Sequence, residues 1–378
     1  MKSYHISEPY DVSLVCRIVY DPDKCVYRGV PKEYESYFPQ NMLPHSTFLN
    51  TIPSEWQEFF KNIPGDIVNE TLEKSQSSDK IEDHIAEMLK TSDPHDFLID
   101  FHYIGEGLTS TVFTALSHKK LVVVKQMPIQ KENIDLMASE VQIMAQLKSK
   151  YMVKMISAHL VEDTIYIIME YMDGGELSMI GKYIEFTESQ IAYFAYKVLK
   201  GIDYLHSLNI IHRDIKTANI FLNSNGKAKI GDFGFATQLS DKDDQCDLIV
   251  GSPYRMAPEV FAGEKYSFPA DIWSLGILLR ELADGEPPLA DLTPQKASEL
   301  IEKHGLPDLR EREEDEDEWS EEFLDFISKC NRLDPKKRPS AHHLLKHPFL
   351  EMRCKSKEIT HVVQTAKEDA ENDYAGAI

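Results

Sequence analysis

Between residues 209 and 234 the chain reads NIIHRDIKTANIFLNSNGKAKIGDFG, and this stretch holds side chains that could do chemistry together. Asp214 and Asp232 supply carboxylates, Asn219 an amide oxygen and Lys216 an ammonium. Hard oxygen donors suit Mg²⁺, and an ammonium beside them suits a polyphosphate, so the chemistry points to phosphoryl transfer rather than attack on a sugar or a peptide bond. For these groups to meet, the chain must double back. The apolar runs 220–222 and 228–230 flank the turn-type sequence Asn223-Ser224-Asn225-Gly226, which predicts a hairpin. Such a hairpin sets Asp214 and Asn219 on one loop and Asp232 at the exit of the next strand.

Upstream elements supply a grip for the rest of a nucleotide. Gly105-Glu106-Gly107-Leu108-Thr109-Ser110-Thr111-Val112 sits between two β-like runs, where glycines let backbone N–H groups approach phosphate oxygens. A valine-rich strand over 121–125 ends in Lys125, and a helix predicted over 134–147 carries Glu140, with Met144 one turn later on its core side. Thr187-Glu188-Ser189-Gln190 opens an amphipathic helix through His206, with Ile191, Phe194, Val198 and Ile202 at core spacing. That helix delivers the catalytic stretch.

His212-Arg213-Asp214, Lys216, Asn219 and Asp232-Phe233-Gly234 at this spacing resemble the catalytic and metal loops of eukaryotic protein kinases. The resemblance covers 97–349. It implies an α+β, bilobal fold, with a small β-rich lobe bearing one helix and a large helical lobe, and it implies ATP and Mg²⁺. Asp214 would accept the substrate hydroxyl proton, Lys216 would steady the γ-phosphate, and Asn219 and Asp232 would hold the metal. Residues Ile104, Gly105, Glu106, Gly107, Leu108, Thr109, Ser110, Thr111 and Val112 would cover the nucleotide. Lys125, held by Glu140, would pair with the phosphates, Met169 would be the gatekeeper, and the backbone of Glu170 and Met172 would meet the adenine edge. Glu176 stands where several basophilic kinases hold a substrate arginine; a solvated helix-start glutamate is the plainer alternative. Ser252, in the docking turn Gly251-Ser252-Pro253-Tyr254, is compatible with Ser/Thr specificity. Glu259 should pair with Arg338, and the run 270–276 resembles the core helix that props the catalytic loop.

Three positions depart from the family pattern: Ser110 replaces a glycine, Val123 an alanine, and Leu248 the phosphorylatable threonine of the activation segment, 235–259. Val123 should narrow the adenine slot, at a cost of about 1–3 kcal/mol if the site is overpacked. A phosphate at position 248 would normally pair with Arg213; Asp247 is expected to substitute in part, and Ser240 and Ser252 are further candidate phosphosites.

Residues 12–20 are rich in β-branched and aromatic types and read as a strand, turned by Asp21-Pro22-Asp23, with no partner visible nearby in sequence. The arm looks like the CRIB-type element by which PAK-like kinases bind Rho-family GTPases: Ile6, Ser7 and Pro9 match its opening, Asp21 its middle, Gly29 and Pro31 its close. Leu14 and Arg17 stand where that pattern has histidines. Ser54 could cap a short helix presenting Trp56, Phe59 and Phe60, either an inhibitory plug or a core-docking face.

A formal charge of −22 disfavours nucleic acid and fits basic peptide substrates. Cys16, Cys25, Cys246, Cys330 and Cys354 lack metal or disulfide spacing and read as reduced cytosolic thiols. No apolar run approaches the roughly 20 residues of a spanning helix, and MKSYHISEPY is too polar for a signal peptide. The expected organisation is a CRIB-like regulatory segment at 1–60, a linker at 61–96, the kinase domain at 97–349 and a flexible, polar tail at 350–378 without a lipidation ending. The acidic block 308–322 should be solvated, before a helix over 319–330. The reading is a PAK-like Ser/Thr protein kinase of the sterile-20 group, cytoplasmic, with protein substrates and a Rho-family GTPase as a partner that could recruit it to membrane or cytoskeleton. A pseudokinase scaffold or a GTPase-binding adaptor is the alternative; retention of Lys125, Glu140, Asp214, Asn219 and Asp232 argues against the first, the missing histidines against the second.

Overall fold

The computed structural model describes residues 19–21, 26–28, 89–107, 110–129, 134–309 and 319–376. In the arm, β1 (Val19–Asp21) pairs antiparallel with β2 (Val26–Arg28). The expected strand therefore has a partner a few residues on, contrary to the sequence expectation; a short return can close such a ladder locally. Ile6, Ser7, Pro9, Gly29 and Pro31 lie outside the described residues, as do Trp56, Phe59 and Phe60.

The small lobe is one antiparallel sheet. Its strands are β3 (Leu98–Gly107), β4 (Ser110–Ser117), β5 (Lys120–Pro128), β6 (Met155–Val161) and β7 (Thr164–Glu170), in the order β3-β4-β5-β7-β6. Strand alternation divides β5 cleanly: Val122 and Val124 are buried with Leu98, Ala115, Tyr166 and Ile168 on one face, while Lys125 and Met127 point to the other. Against that second face packs α1 (Ile134–Gln146), which buries Met137, Val141 and Met144, residues spaced by one and two turns. Residues 89–96, expected as linker, cover the sheet edge instead. Leu89 enters the main core, and Lys90 exchanges backbone bonds with Ala158 and Leu160 of β6 at 3.0 and 2.9 Å.

In the large lobe β8 (Gly175–Glu176) leads into α2 (Leu177–Ile180) and then α3 (Glu188–Ser207). Thr187 and Gln190 form the capping box expected at the start of α3, at 3.1 and 3.4 Å, and Ile191, Phe194, Val198 and Ile202 are buried. Next come β9 (Ile210–Ile211), β10 (Ile220–Leu222), β11 (Ala228–Ile230) and β12 (Thr237–Gln238). The predicted hairpin is present as β10-β11, with β8 on its free edge. Short α4 (Pro258–Phe261) precedes α5 (Pro269–Asp284), which is buried on nearly every side and forms the lobe's axis. Helix α7 (Glu321–Cys330) packs on it, α6 (Pro294–His304) on α4 and α8 (Ala341–Leu344) on α3; residues 310–318 of the acidic block lie outside the described residues.

The tail departs most from expectation. Rather than a loose segment, α9 (Ser356–Gly376) runs along the lobe with Ile359, Val362, Val363 and Ala366 buried in the main core. These residues recur at a helical period amid polar ones, so the segment's polarity concealed one complete apolar stripe. Helix α9 closes on the hairpin turn: Ser356 Oγ donates to the Asn225 carbonyl at 3.0 Å, and Lys367 donates to the carbonyl of Asp173, between β7 and β8. Gly226, at φ 67°, leaves no room for a side chain, since a Cβ there would lie 2.5 Å from the Ser356 carbonyl oxygen.

Candidate active site

The two lobes meet at Lys125. Its ammonium lies 2.6 Å from Glu140 Oε1 of α1 and 3.3 Å from Asp232 Oδ1, beyond β11. Burial, the largest influence on Lys125, disfavours its charge, yet the two carboxylates outweigh it and hold the pKa above its ordinary value. Burial would likewise raise the Asp232 carboxyl, but Lys125, His212 and Lys216 hold it below 3.8. The Asp232 side chain is still 43% exposed. An ionised carboxylate therefore faces the cleft with one side open to a ligand. Phe233 is fully buried, its ring edge against His212 at 5.3 Å, so Asp232 is fixed from behind.

The catalytic loop hangs from α5. Asp271 accepts the backbone N–H groups of His212 and Arg213 at 3.0 and 2.9 Å, and His206 Nε2 sits 2.9 Å from the same carboxylate. Here the run 270–276 does what the resemblance implied, and Asp271 is the residue that does it. With the loop so held, Asp214 Oδ1 accepts from both the N–H and the hydroxyl of Ser252, at 3.0 and 2.8 Å. Asn219 Nδ2 donates to the Asp214 carbonyl and to Oδ2, at 2.8 and 2.9 Å. Lys216 Nζ bridges, 3.3 Å from Asp214 Oδ2 and 3.1 Å from Ser252 Oγ. Asn219 thus spends its amide protons on Asp214, which leaves its Oδ1 as an acceptor. Ser252, expected as a phosphorylatable hydroxyl, is buried and engaged at the site; Ser240 is exposed and donates to Asp244 at 2.8 Å.

The nucleotide side is assembled from the sheet. Ile104, Gly105, Glu106 and Gly107 end β3, and Ser110, Thr111 and Val112 begin β4 paired to them; Leu108 and Thr109 lie outside the described residues. Val123 stands opposite Met169 on β7 and shares the Lys125 side of β5. Glu170 sends its side chain away to Lys154 N and Lys229 Nζ, at 2.7 and 2.5 Å, and Met172 is buried. Glu176 begins α2, where the Ser178 hydroxyl donates to it at 3.1 Å.

One expectation is overturned. Asp247 does not reach Arg213: its side chain is exposed, and among the described residues no ion pair joins the two. The Arg213 guanidinium instead donates to the Phe235 carbonyl at 2.5 Å and to the Tyr266 hydroxyl at 3.4 Å. Half-buried Arg213 spends its donors on the Phe235 carbonyl and the Tyr266 hydroxyl, while the exposed Asp247 carboxylate stays in water.

Sequence reasoning also missed a three-residue node below the docking turn. Glu281 of α5 accepts from Thr217 at 2.7 Å and from Arg255 at 3.0 and 2.7 Å, joining the catalytic loop to the segment after Ser252. Glu281 lies far along the chain from both partners, and no local pattern marks such a contact.

A family model described as the protein kinase domain matches residues 99–350. The chain is 36% identical to the Dictyostelium discoideum serine/threonine-protein kinase pakC over 374 residues, covering 96% of this chain and 76% of that one. It is 38% identical to pakA of the same organism and 41% identical to pakB, over 76% and 71% of this chain but only 24% and 32% of those longer proteins. ATP and a divalent cation are what such a kinase domain uses. With the bilobal fold, the Lys125–Glu140 pair and the loop around Asp214 in place, the chain belongs to the protein kinase family and is a PAK-like serine/threonine kinase.

Proposed function

We propose that the chain transfers the γ-phosphoryl group of Mg·ATP to serine or threonine hydroxyls of proteins, and that basic segments are favoured. The observation that carries this is the convergence of Lys125 on Glu140 and Asp232 at 2.6 and 3.3 Å, across both lobes. Catalysis explains that arrangement better than a scaffold does, since three charged groups are held part-buried where folding alone would prefer apolar ones. Asp232 and the Asn219 amide oxygen are hard oxygen donors, which fit Mg²⁺, and the cation would neutralise charge on the transferred group. Lys125 would hold the phosphates, and Lys216 would face the γ-phosphate from the Asp214 side. Asp214, oriented by Ser252 and Asn219, would take the proton from the attacking hydroxyl. The charge of −22 and a carboxylate at Glu176, on the strand paired with β10 just after Asn219, support a basic substrate.

The test is phosphorylation of a basic protein with Mg·ATP, with Asp232→Asn as control; equal activity in both would sink the reading. For the N-terminal arm we propose a Rho-family GTPase partner, which would bring a cytoplasmic enzyme to membrane or cytoskeleton. The pakC similarity spans 96% of this chain and so takes in most of the arm. Capture by GTP-loaded but not GDP-loaded GTPase is the expected result, and equal or no capture would refute it.

A further inference from the structure

The activation segment needs an anchor, and position 248 offers an aliphatic side chain that can carry neither charge nor phosphate. What the segment touches instead is Tyr266. The Tyr266 hydroxyl donates to the Leu248 carbonyl at 2.6 Å and accepts from the Arg213 guanidinium at 3.4 Å, so one oxygen joins the middle of the segment to the catalytic loop. The same residue pairs with the segment through its backbone, exchanging N–H···O bonds with Cys246 at 2.8 Å each. Its ring is 4% exposed and packs with Ala257, Val260, Ala270 and Trp273, so the hydroxyl has little freedom to leave. Burial pushes the phenol pKa up to about 12 against the lowering effect of Arg213, which keeps the proton that the bond to Leu248 uses.

Arg213 is held equally firmly. Its N–H is fixed to Asp271, its Nε holds Phe235 at the start of the segment, and its carbonyl touches Gly251 near the segment's end. Gly251 has φ 115° and a Cβ there would lie 2.4 Å from the Arg213 oxygen, so only glycine permits this approach. The next residue, Ser252, is the one bonded to Asp214.

We propose that Tyr266 is a positioning residue of the phosphoryl-transfer site: its hydroxyl bridges Leu248 to Arg213 and so sets the activation segment, and with it Ser252, without a phosphorylated side chain. The proposal rests on the kinase reading above and names how that site is held ready. Because the bridge uses the Leu248 carbonyl, it is indifferent to the side chain at 248.

Tyr266→Phe preserves the packed ring and removes the bridge. In the full-length chain, kcat/KM for a basic peptide should fall roughly tenfold while KM for ATP stays unchanged. Amide hydrogen exchange across 246–251 should quicken in the variant, a readout independent of turnover. Leu248→Ala should retain wild-type turnover, and phosphatase-treated wild-type enzyme should keep its rate. Unchanged exchange in Tyr266→Phe overturns the proposal whether or not the wild type is active. So does a kcat/KM within twofold of wild type, or a tenfold loss on phosphatase treatment. A wild-type chain inert toward Mg·ATP with quickened exchange in Tyr266→Phe would instead sink the catalytic reading and leave the anchor standing.

Discussion

Glu259 closes the activation segment, and Arg338 grips it with two parallel bonds of 2.6 and 2.7 Å in a site where the side chains are 4% and 0% exposed. Glu259→Gln keeps the shape and strands the guanidinium charge. Breaking a buried pair from one side costs about 3–5 kcal/mol. Here the lower end applies, because Arg338 also donates to the carbonyls of Arg332, Pro269 and Leu333 at 2.7, 3.2 and 3.1 Å, and the guanidinium lies 5.0 Å over the Trp273 ring. A loss of about 3 kcal/mol lowers the melting temperature by roughly 6–12 °C for a domain of this size. Thermal and urea unfolding followed by tryptophan fluorescence would measure it, with Trp273 reporting from beneath the pair. Adding Arg338→Met removes the stranded charge but unpairs the carbonyls of Arg332, Pro269 and Leu333, so the double variant should lose less than the sum of the two single losses. A loss below about 1 kcal/mol in Glu259→Gln, or losses in the two single variants that simply add in the double, would refute the account of the pair as a charge compensated in a dry site.

Lys125→Met should cut kcat by roughly two to three orders of magnitude and also lower stability, since Glu140 is left buried without its cation. Adding Glu140→Gln should restore the melting temperature but not turnover, which separates the two roles. Burial alone would raise the Asp271 carboxyl, but His206 and the His212 N–H hold it below its ordinary 3.8. A depressed carboxyl stabilises the fold above its unfolded value and loses that contribution as pH falls through its folded value. Asp271→Asn should therefore be less stable than wild type by a constant amount above pH 3.8, with the gap closing below it; a gap that widens in acid would reverse the sign argument. Arg255→Lys cannot reproduce the two-pronged contact to Glu281, so it should cost about 1–3 kcal/mol in unfolding and raise KM for peptide more than KM for ATP.

Local chemistry is what the sequence made readable. The hairpin announced itself through a four-residue turn between two apolar triplets, α3 through its capping box, and the Lys125–Glu140 pair through a strand end and a helix at fixed separation. The helical repeat of α9 was equally present in the sequence, but its polar composition outweighed four apolar positions in the reading. Contacts closed by distant residues were not legible. Glu281 meets Thr217 and Arg255, and Tyr266 meets Leu248, only because α5 and the segment before it run past the catalytic loop. Asp247 shows the converse: adjacency in sequence to the expected phosphosite placed a carboxylate near Arg213 on paper, while the fold turned it to water.

Helix α9 bears on where this enzyme ends. The family match stops at residue 350, and the helix starts at Ser356, so a fragment trimmed to that match would be missing a wall of its large lobe. The furrow that Ile359 and Val363 fill would open beside Gly226, on the turn whose two strands separate Asn219 from Asp232. Exposed aliphatic furrows of that kind drive self-association. The final helix is therefore part of the smallest unit that should be purified or assayed as this kinase.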